Sequence, residues 1–216
     1  KNELKGLGYN FKSNSDSEII ASSFLQWGIK CVEKFNGMFS IAIYDKKNFK
    51  VYLIRDRVGV KPLYYSYFNN LFIFSSEIKG IINYPGFKKS LNFNALVSYL
   101  SFRYPTGENN NFFKNIRKIK PGSYVEIDIK KNNTSHKNYW SIPEIKSSKN
   151  YNEEYYLQKL EFLLSNSVKK QLISDVPLGV LLSGGLDSSI LSSITSKNIS
   201  GKLKTFSVGF EEKKIR

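Results

Sequence analysis

The sequence has 216 residues, 41% of them hydrophobic, and a formal charge of +15 from 33 Lys+Arg against 18 Asp+Glu. That apolar fraction can build a core and excludes a disordered tail, while the length suits one large domain or two small ones. No apolar run approaches the roughly 20 residues that a membrane-spanning helix needs, so no membrane segment is expected. The opening Lys-Asn-Glu-Leu-Lys does not read as a signal peptide, and the only methionine is Met38. A strand-like apolar segment also stops just short of Arg216, so the chain is expected to be truncated at both ends.

Along the chain, Ser15-Asp16-Ser17-Glu18 reads as a capping box, with Glu18 reaching back to the Ser15 amide. Behind it Ile19, Ile20, Phe24 and Trp27 share one helical face, and Gly28 is the stop. Residues 38–44 and 50–54 are strand-like and are separated by a Lys-Lys-Asn turn. Residues 63–68 and 71–74 flank Asn69-Asn70, which predicts a two-residue hairpin. A short helix is expected over 95–100, capped by Asn92 or Asn94. In the basic stretch 114–120, Ile116 and Ile119 give a strand-like punctuation. Pro121-Gly122 then turns into a strand in which Tyr124, Glu126 and Asp128 alternate with Val125, Ile127 and Ile129.

Residues 130–150, rich in Lys, Asn and Ser, read as the boundary. The first domain is taken as 1–138, the linker as 139–150 and the second domain as 151–216. In the latter, Leu157, Leu160, Leu164, Val168 and Leu172 mark a long amphipathic helix. The run 178–182, a Ser/Gly-rich turn, the apolar 190–194 and a further run 203–210 read as strand, loop, helix, strand. That pattern is the start of a parallel α/β sheet.

Single residues offer little chemistry. Cys31 rules out an internal disulfide, suits a reduced cytoplasmic setting and has no nucleophile's partner in view. His136 lies in what reads as a Lys/Asn/Ser-rich turn. The positive charge does not line one helix face and no aromatic RNA-binding signature accompanies it, so a solvated surface is expected and no nucleic acid. Arg55-Asp56-Arg57 could be catalytic or a structural ion-pair cluster at a strand end, and the second is expected.

The main chemical feature is Ser183-Gly184-Gly185-Leu186-Asp187-Ser188-Ser189, placed after a buried strand and opening a helix. Glycines let backbone amides approach an anion, and the helix end adds positive potential. The Gly-Lys-Ser/Thr ending of a Walker loop is absent. This segment resembles the pyrophosphate loop of ATP-pyrophosphatases. The flanking Ser174-Asp175-Val176-Pro177-Leu178-Gly179-Val180-Leu181-Leu182 and Thr205-Phe206-Ser207-Val208-Gly209-Phe210 are similar to the asparagine synthetase versions. The resemblance implies ATP cleaved between its α- and β-phosphates, bound through Ser183, Gly184, Gly185, Asp187 and Ser188. It also implies Leu181 and Val208 around adenine and ribose, and Asp187 as a ligand of Mg²⁺.

The resemblance continues upstream. The blocks 11–18, 36–40, 54–64, 75–79, 113–119 and 121–124 look, in order, like those of a class II glutamine amidotransferase. The fold implied is the C-terminal part of an αββα N-terminal-nucleophile glutaminase sandwich, followed by the start of the parallel-sheet, adenine nucleotide α-hydrolase-like domain. The family's nucleophilic cysteine and oxyanion donors match nothing in the chain, so no catalytic residue is assigned and the chain alone is expected to be inactive. Asp16 matches the carboxylate that holds the α-ammonium of glutamine; without the resemblance it reads as a helix cap. For the complete protein the resemblance implies a homodimeric cytoplasmic ligase making asparagine from aspartate, glutamine and ATP through a β-aspartyl-AMP intermediate. Rival readings are an amidotransferase for another carboxylate, such as a sugar acid of a surface polysaccharide, a β-lactam synthetase relative, a tRNA-modifying pyrophosphate-loop enzyme and a non-catalytic remnant.

Overall fold

The computed structural model describes residues 1–107, 111–144 and 152–209, and it divides into two units, Lys1–Glu144 and Ile145–Arg216. The first unit opens with α1 (Asn2–Gly6), α2 (Asp16–Trp27) and a 3₁₀ helix at Gly28–Lys34. Gly28, at φ 58°, ends α2 as the sequence predicts. The start of α2 differs from the expected capping box. Ser15 Oγ accepts from the Ser17 amide at 3.2 Å, but Glu18 does not return to Ser15. The Glu18 carboxylate instead accepts from the amides of Lys12 and Ser13, both at 2.8 Å, and from Ser13 Oγ at 2.6 Å. Ser13 Oγ in turn accepts from the Ser15 amide at 3.2 Å, so the serine occupies the place a capping box gives the carboxylate. These donors hold Glu18 below the usual carboxylate range, the Ser13 hydroxyl contributing most.

Four antiparallel strands follow in one sheet, in the order β1 (Ser40–Asp45), β2 (Lys50–Arg55), β6 (Ser123–Asp128), β7 (Asn133–Asn138). The second sheet has the order β4 (Leu71–Ser75), β3 (Tyr64–Phe68), β5 (Arg117–Lys118). The β3–β4 hairpin closes on the Phe68–Leu71 pair, with Asn69 at φ 49° and Asn70 at φ 58°. Asparagine tolerates these left-handed angles, and the resulting turn matches the strand twist. Two helices complete the unit, α3 (Ile78–Ile82) and α4 (Phe93–Phe102); Asn92 Oδ1 caps α4 through the Ala95 amide at 3.3 Å.

The period-two alternation of the strands divides the apolar residues among three clusters. Ile41, Tyr52, Ile54 and Tyr124 face Cys31, Val32, Phe24 and Trp27 of the helical layer. Leu53, Val125 and Ile127 turn the other way and meet Tyr65 of the second sheet, with Leu63 and Ile119 beside the ends of its strands. On that sheet's far side, Ile116 joins Ile81 and Phe87, with Tyr64 and Phe68 packed against them. The layers therefore run helix, sheet, sheet, helix, which is the αββα sandwich expected. Both faces of β6 are covered, so Tyr124 is buried rather than facing solvent with Glu126 and Asp128. Ile116 and Ile119, an odd number of residues apart, serve different clusters.

The stretch expected to be irregular contains β7, and His136 lies on that strand, not in a turn. Met38 is half-exposed beside β1. Cys31 is fully buried in the first cluster, and burial pushes its thiol up to about 11. The neutral form therefore dominates at pH 7–8, and the thiolate needed for nucleophilic attack is absent. A thiol reagent at pH 7.5 should modify urea-unfolded chain in minutes and leave native chain unmodified over the same time. Rapid stoichiometric labelling of the native chain would contradict this placement.

Arg55-Asp56-Arg57 is structural, as expected, but it is not an ion-pair cluster among the described residues. Arg55 is buried and donates to the carbonyls of Lys61 and Ile119, each at 2.8 Å, and of Gly59. Asp56, fully buried, accepts from the Val60 and Lys61 amides at 2.9 Å. The two side chains thus fold the 56–62 loop onto the strand end, each charge satisfied mainly by backbone dipoles. Gly59 has φ 70°, and a Cβ there would lie 2.8 Å from both Arg55 Cζ and Pro121 Cγ.

In the second unit α5 (Glu153–Gln171) is capped by Asn152 Oδ1, which accepts from the Tyr155 amide at 3.0 Å. Then come β8 (Gly179–Leu181), α6 (Leu186–Asn198) and β9 (Lys204–Phe206). β8 and β9 are parallel, Leu181 opposite Phe206. A Cβ at Gly179 would sit 2.6 Å from the Phe206 ring, so glycine lets the two strands pack closely. Leu157, Leu160 and Leu164 of α5 line a groove with Ile190 and Ile194 of α6. Residues 145–151 of the linker and second domain, and Phe210 of the last predicted strand, lie outside the described residues.

Candidate functional site

Each unit carries its own candidate site. In the second, β8 delivers the chain into the loop at Leu182, whose amide is held by the Phe206 carbonyl at 2.8 Å. Ser207 Oγ donates to the Leu182 carbonyl at 2.6 Å, so the ends of β8 and β9 are tied where the loop begins. Gly184 takes φ 83°, a left-handed turn in which a side chain would be strained. Gly185 is the N-cap of α6, and no side chain caps that helix. The first amides of α6 have no intrahelical acceptor and stand at the positive end of a 13-residue helix.

The loop's hydroxyls are prearranged. Ser183 Oγ and Ser188 Oγ are 3.1 Å apart, and Ser188 Oγ also lies 3.0 Å from the Gly185 carbonyl. Ser189 Oγ donates to that carbonyl at 2.8 Å. Asp187, in the first turn of α6, is exposed, and among the described residues nothing holds its carboxylate. Leu181 ends β8 and is 76% exposed; Val208, two residues past β9, is 87% exposed. Leu181 is at, and Val208 just past, the carboxyl end of a parallel strand, where open α/β sheets bind ligands. The structure therefore brings Ser183, Gly184 and Gly185 of the loop together with Asp187 and Ser188 of the first turn of α6, and has Leu181 and Val208 at the adjoining strand ends.

The donors suit a phosphate-bearing ligand: free amides, two hydroxyls and a helix N-terminus. A lone carboxylate is also the kind of hard oxygen ligand Mg²⁺ takes when phosphate oxygens complete its shell. No group of three or more His, Cys, Asp or Glu side chains positioned to hold a metal occurs among the described residues.

In the first unit Asp16 is the first helical residue of α2 and is exposed. The cap belongs to Ser15, and among the described residues no partner holds the Asp16 carboxylate. The loop before it is tied to the start of α2 by Glu18, which accepts from the Lys12 and Ser13 amides. Sequence reasoning missed this role of Glu18; its signal was the Ser13-x-Ser15 spacing ahead of the acid.

Residues 1–140 match the glutamine amidotransferase domain family. The chain belongs to the glutamine amidotransferase family. A second family, described as asparagine synthase, matches residues 159–215 of the amidotransferase chain. Curated relatives cover both units. An asparagine synthetase [glutamine-hydrolyzing] 2 of Bacillus subtilis is 37% identical over 95% of this chain and 29% of its own length. A putative asparagine synthetase [glutamine-hydrolyzing] 2 of Methanocaldococcus jannaschii is 36% identical over 94% of this chain and 39% of its own. An amidase, chyE, of Penicillium rubens is 27% identical over 94% of this chain and 32% of its own. The chain thus spans about a third of the length of these relatives. A solved glutamine phosphoribosylpyrophosphate amidotransferase from B. subtilis aligns with 95% of this chain and 42% of its own at 14% identity and TM-score 0.41, too slight a likeness to weigh. Among the described residues no helix is long and apolar enough to cross a membrane.

Proposed function

We propose that the chain is part of a glutamine-dependent asparagine synthetase, in which the first unit handles glutamine and the second activates aspartate with ATP. The observation that carries this reading is the presence, in one chain, of an amidotransferase unit and a strand–glycine loop–helix with a free carboxylate. Relatives named as glutamine-hydrolysing asparagine synthetases support the choice of acceptor.

In the first unit Asp16 accepts from the α-ammonium of glutamine, a charge-assisted bond that separates an amino acid from a plain amide. In the second unit the amides of Gly184 and Gly185, with Ser183 and Ser188, hold the pyrophosphate part of ATP, and Leu181 and Val208 cover its adenosine. An oxygen of the aspartate side chain attacks the α-phosphorus, the α–β phosphoanhydride bond breaks and pyrophosphate leaves. Ammonia released from glutamine then attacks the acyl carbon and displaces AMP. Mg²⁺ held by Asp187 would neutralise charge on the departing pyrophosphate. The single cysteine, Cys31, free and buried, fits a cytoplasmic setting.

Asp16→Asn tests the first unit. In the complete protein it should lower glutamine-dependent turnover about 10–100-fold, the value of a charged hydrogen bond, and leave ammonia-dependent turnover unchanged. An equal loss with both nitrogen donors would remove Asp16 from glutamine binding. A second reading keeps the same chemistry with another carboxylate as the acceptor; not every relative is named an asparagine synthetase, one being named an amidase. If free aspartate does not stimulate AMP formation while another carboxylate does, a sugar acid for example, that reading replaces asparagine synthesis.

A further inference from the structure

The turn that leads into α2 is closed by its own side chains. Glu18 stands on a helix that Ile20, Phe24 and Trp27 seat against the first sheet. Its Oε1 accepts from the Lys12 amide at 2.8 Å. Its Oε2 accepts from the Ser13 amide at 2.8 Å and from Ser13 Oγ at 2.6 Å. The hydroxyl's one proton is thereby committed, and its oxygen accepts from the Ser15 amide, 3.2 Å away. Ser15 Oγ repeats the device on the Ser17 amide at 3.2 Å. Lys1, the N-cap of α1, adds a further tie, its Nζ donating to the Ser13 carbonyl and to Asn14 Oδ1, each at 3.0 Å.

Asp16 lies inside this chain of bonds. The amides of its two neighbours, Ser15 and Ser17, are each held by a serine hydroxyl, and the first of those hydroxyls is held by Glu18. The backbone on both sides of Asp16 is therefore tied to α2, while its carboxylate is exposed. A helix cap requires less than this, because Ser15 alone completes it. A capping box would set Glu18 on the Ser15 amide directly. Here the Ser13 hydroxyl stands between them, and the carboxylate extends its hold to the residues before the cap.

We propose that Glu18 is a positioning residue for glutamine, setting through Ser13 where the Asp16 carboxylate meets the α-ammonium of the substrate. This rests on Asp16 binding glutamine, as proposed for the first unit. A charge-assisted bond depends on distance and angle, and a small displacement of a binding group is costly. An ionised carboxylate only accepts, which suits the three donors gathered on Glu18. Glutamine in its place has one acceptor oxygen. With that oxygen at the Oε1 position both Ser13 donors lose their acceptor, and with it at Oε2 the Lys12 amide does.

Steady-state kinetics with glutamine on the complete protein test this. Glu18→Gln should raise the KM for glutamine about three- to tenfold, the size of a net hydrogen bond shared with water, with kcat within about twofold of wild type. Ser13→Ala keeps the Glu18 charge and removes the hydroxyl that links it to the Ser15 amide. It should raise KM to a similar extent, and Ser13→Thr should restore most of the loss. Ser13 is exposed and Glu18 partly so, and the thermal midpoint should hardly move. Because Glu18 acts through Asp16, Asp16→Asn combined with Glu18→Gln should be no worse than Asp16→Asn alone. Losses that multiply in the double variant, or an unchanged KM in Glu18→Gln, would overturn the positioning role and leave Asp16 in place. A KM raised by Glu18→Gln and not by Ser13→Ala would mean that the Glu18 charge acts on the substrate directly, and would overturn it too. An unaltered KM in Asp16→Asn would instead remove Asp16 from glutamine binding, and the positioning role with it.

Discussion

Arg55→Ala should destabilise the first unit by about 3–5 kcal/mol, seen as a lowered urea midpoint with an unchanged slope. The wild-type guanidinium donates to three carbonyls, those of Gly59, Lys61 and Ile119. Truncation leaves these acceptors in a region where Ile119 is 1% exposed and Asp56 is fully buried. Each unsatisfied buried acceptor costs about 1–3 kcal/mol, and some water entry keeps the sum near the lower end. Asp56 would also lose the favourable charge of the Arg55 guanidinium. Arg57→Ala is the control. Arg57 makes one hydrogen bond from its guanidinium, to the Glu33 carbonyl at 2.9 Å in an exposed setting. Its loss should cost about 1 kcal/mol. If the two substitutions cost the same, the buried knot around Arg55 is not what holds the 56–62 loop.

Asp187→Ala in the complete protein should reduce aspartate-dependent exchange of pyrophosphate into ATP about 100-fold or more, and leave glutamine hydrolysis intact. The size reflects removal of the only acidic group in the loop, which would leave the pyrophosphate charge without its metal ligand. Stability should hardly change. Asp187 is exposed, and what is lost is the favourable position of an acid in a helix's first turn, worth under about 1 kcal/mol. Unchanged exchange would separate Asp187 from the nucleotide and withdraw Mg²⁺ from this loop.

Much of this architecture could be read from the residues because local chemistry and tertiary packing agree. Asn69-Asn70 supplies two left-handed positions, and the hairpin forms there with Phe68 opposite Leu71. The apolar positions at 20, 24 and 27 place α2 against the first sheet, and Gly28 ends the helix. In the second unit the apolar run, the glycines and the serines give strand, loop and helix in the expected order.

The misses have physical causes. β7 has no apolar alternation, because Asn133-Thr134-Ser135-His136-Lys137-Asn138 is an edge strand whose pairing depends on the β6 backbone. An edge strand with polar and cationic side chains resists further pairing, and that same composition hides it from pattern reading. The charges of Arg55 and Asp56 suggested a mutual pair. Only the closure of the 56–62 loop brings carbonyls and amides to them from as far along the chain as Ile119. Glu18 looked like half of a capping box, and the intervening Ser13 hydroxyl could be placed only once the loop before α2 had its path. For the candidate site, loop membership was readable from the spacing. The openness of Leu181 and Val208 was not, because burial of a strand end depends on what covers it.

The reaction is decided by a product balance on the complete protein supplied with glutamine, aspartate and Mg-ATP. Asparagine, AMP and pyrophosphate are expected in equal amounts, with AMP formation dependent on aspartate. Formation of ADP and phosphate, or AMP formation indifferent to aspartate, would contradict it.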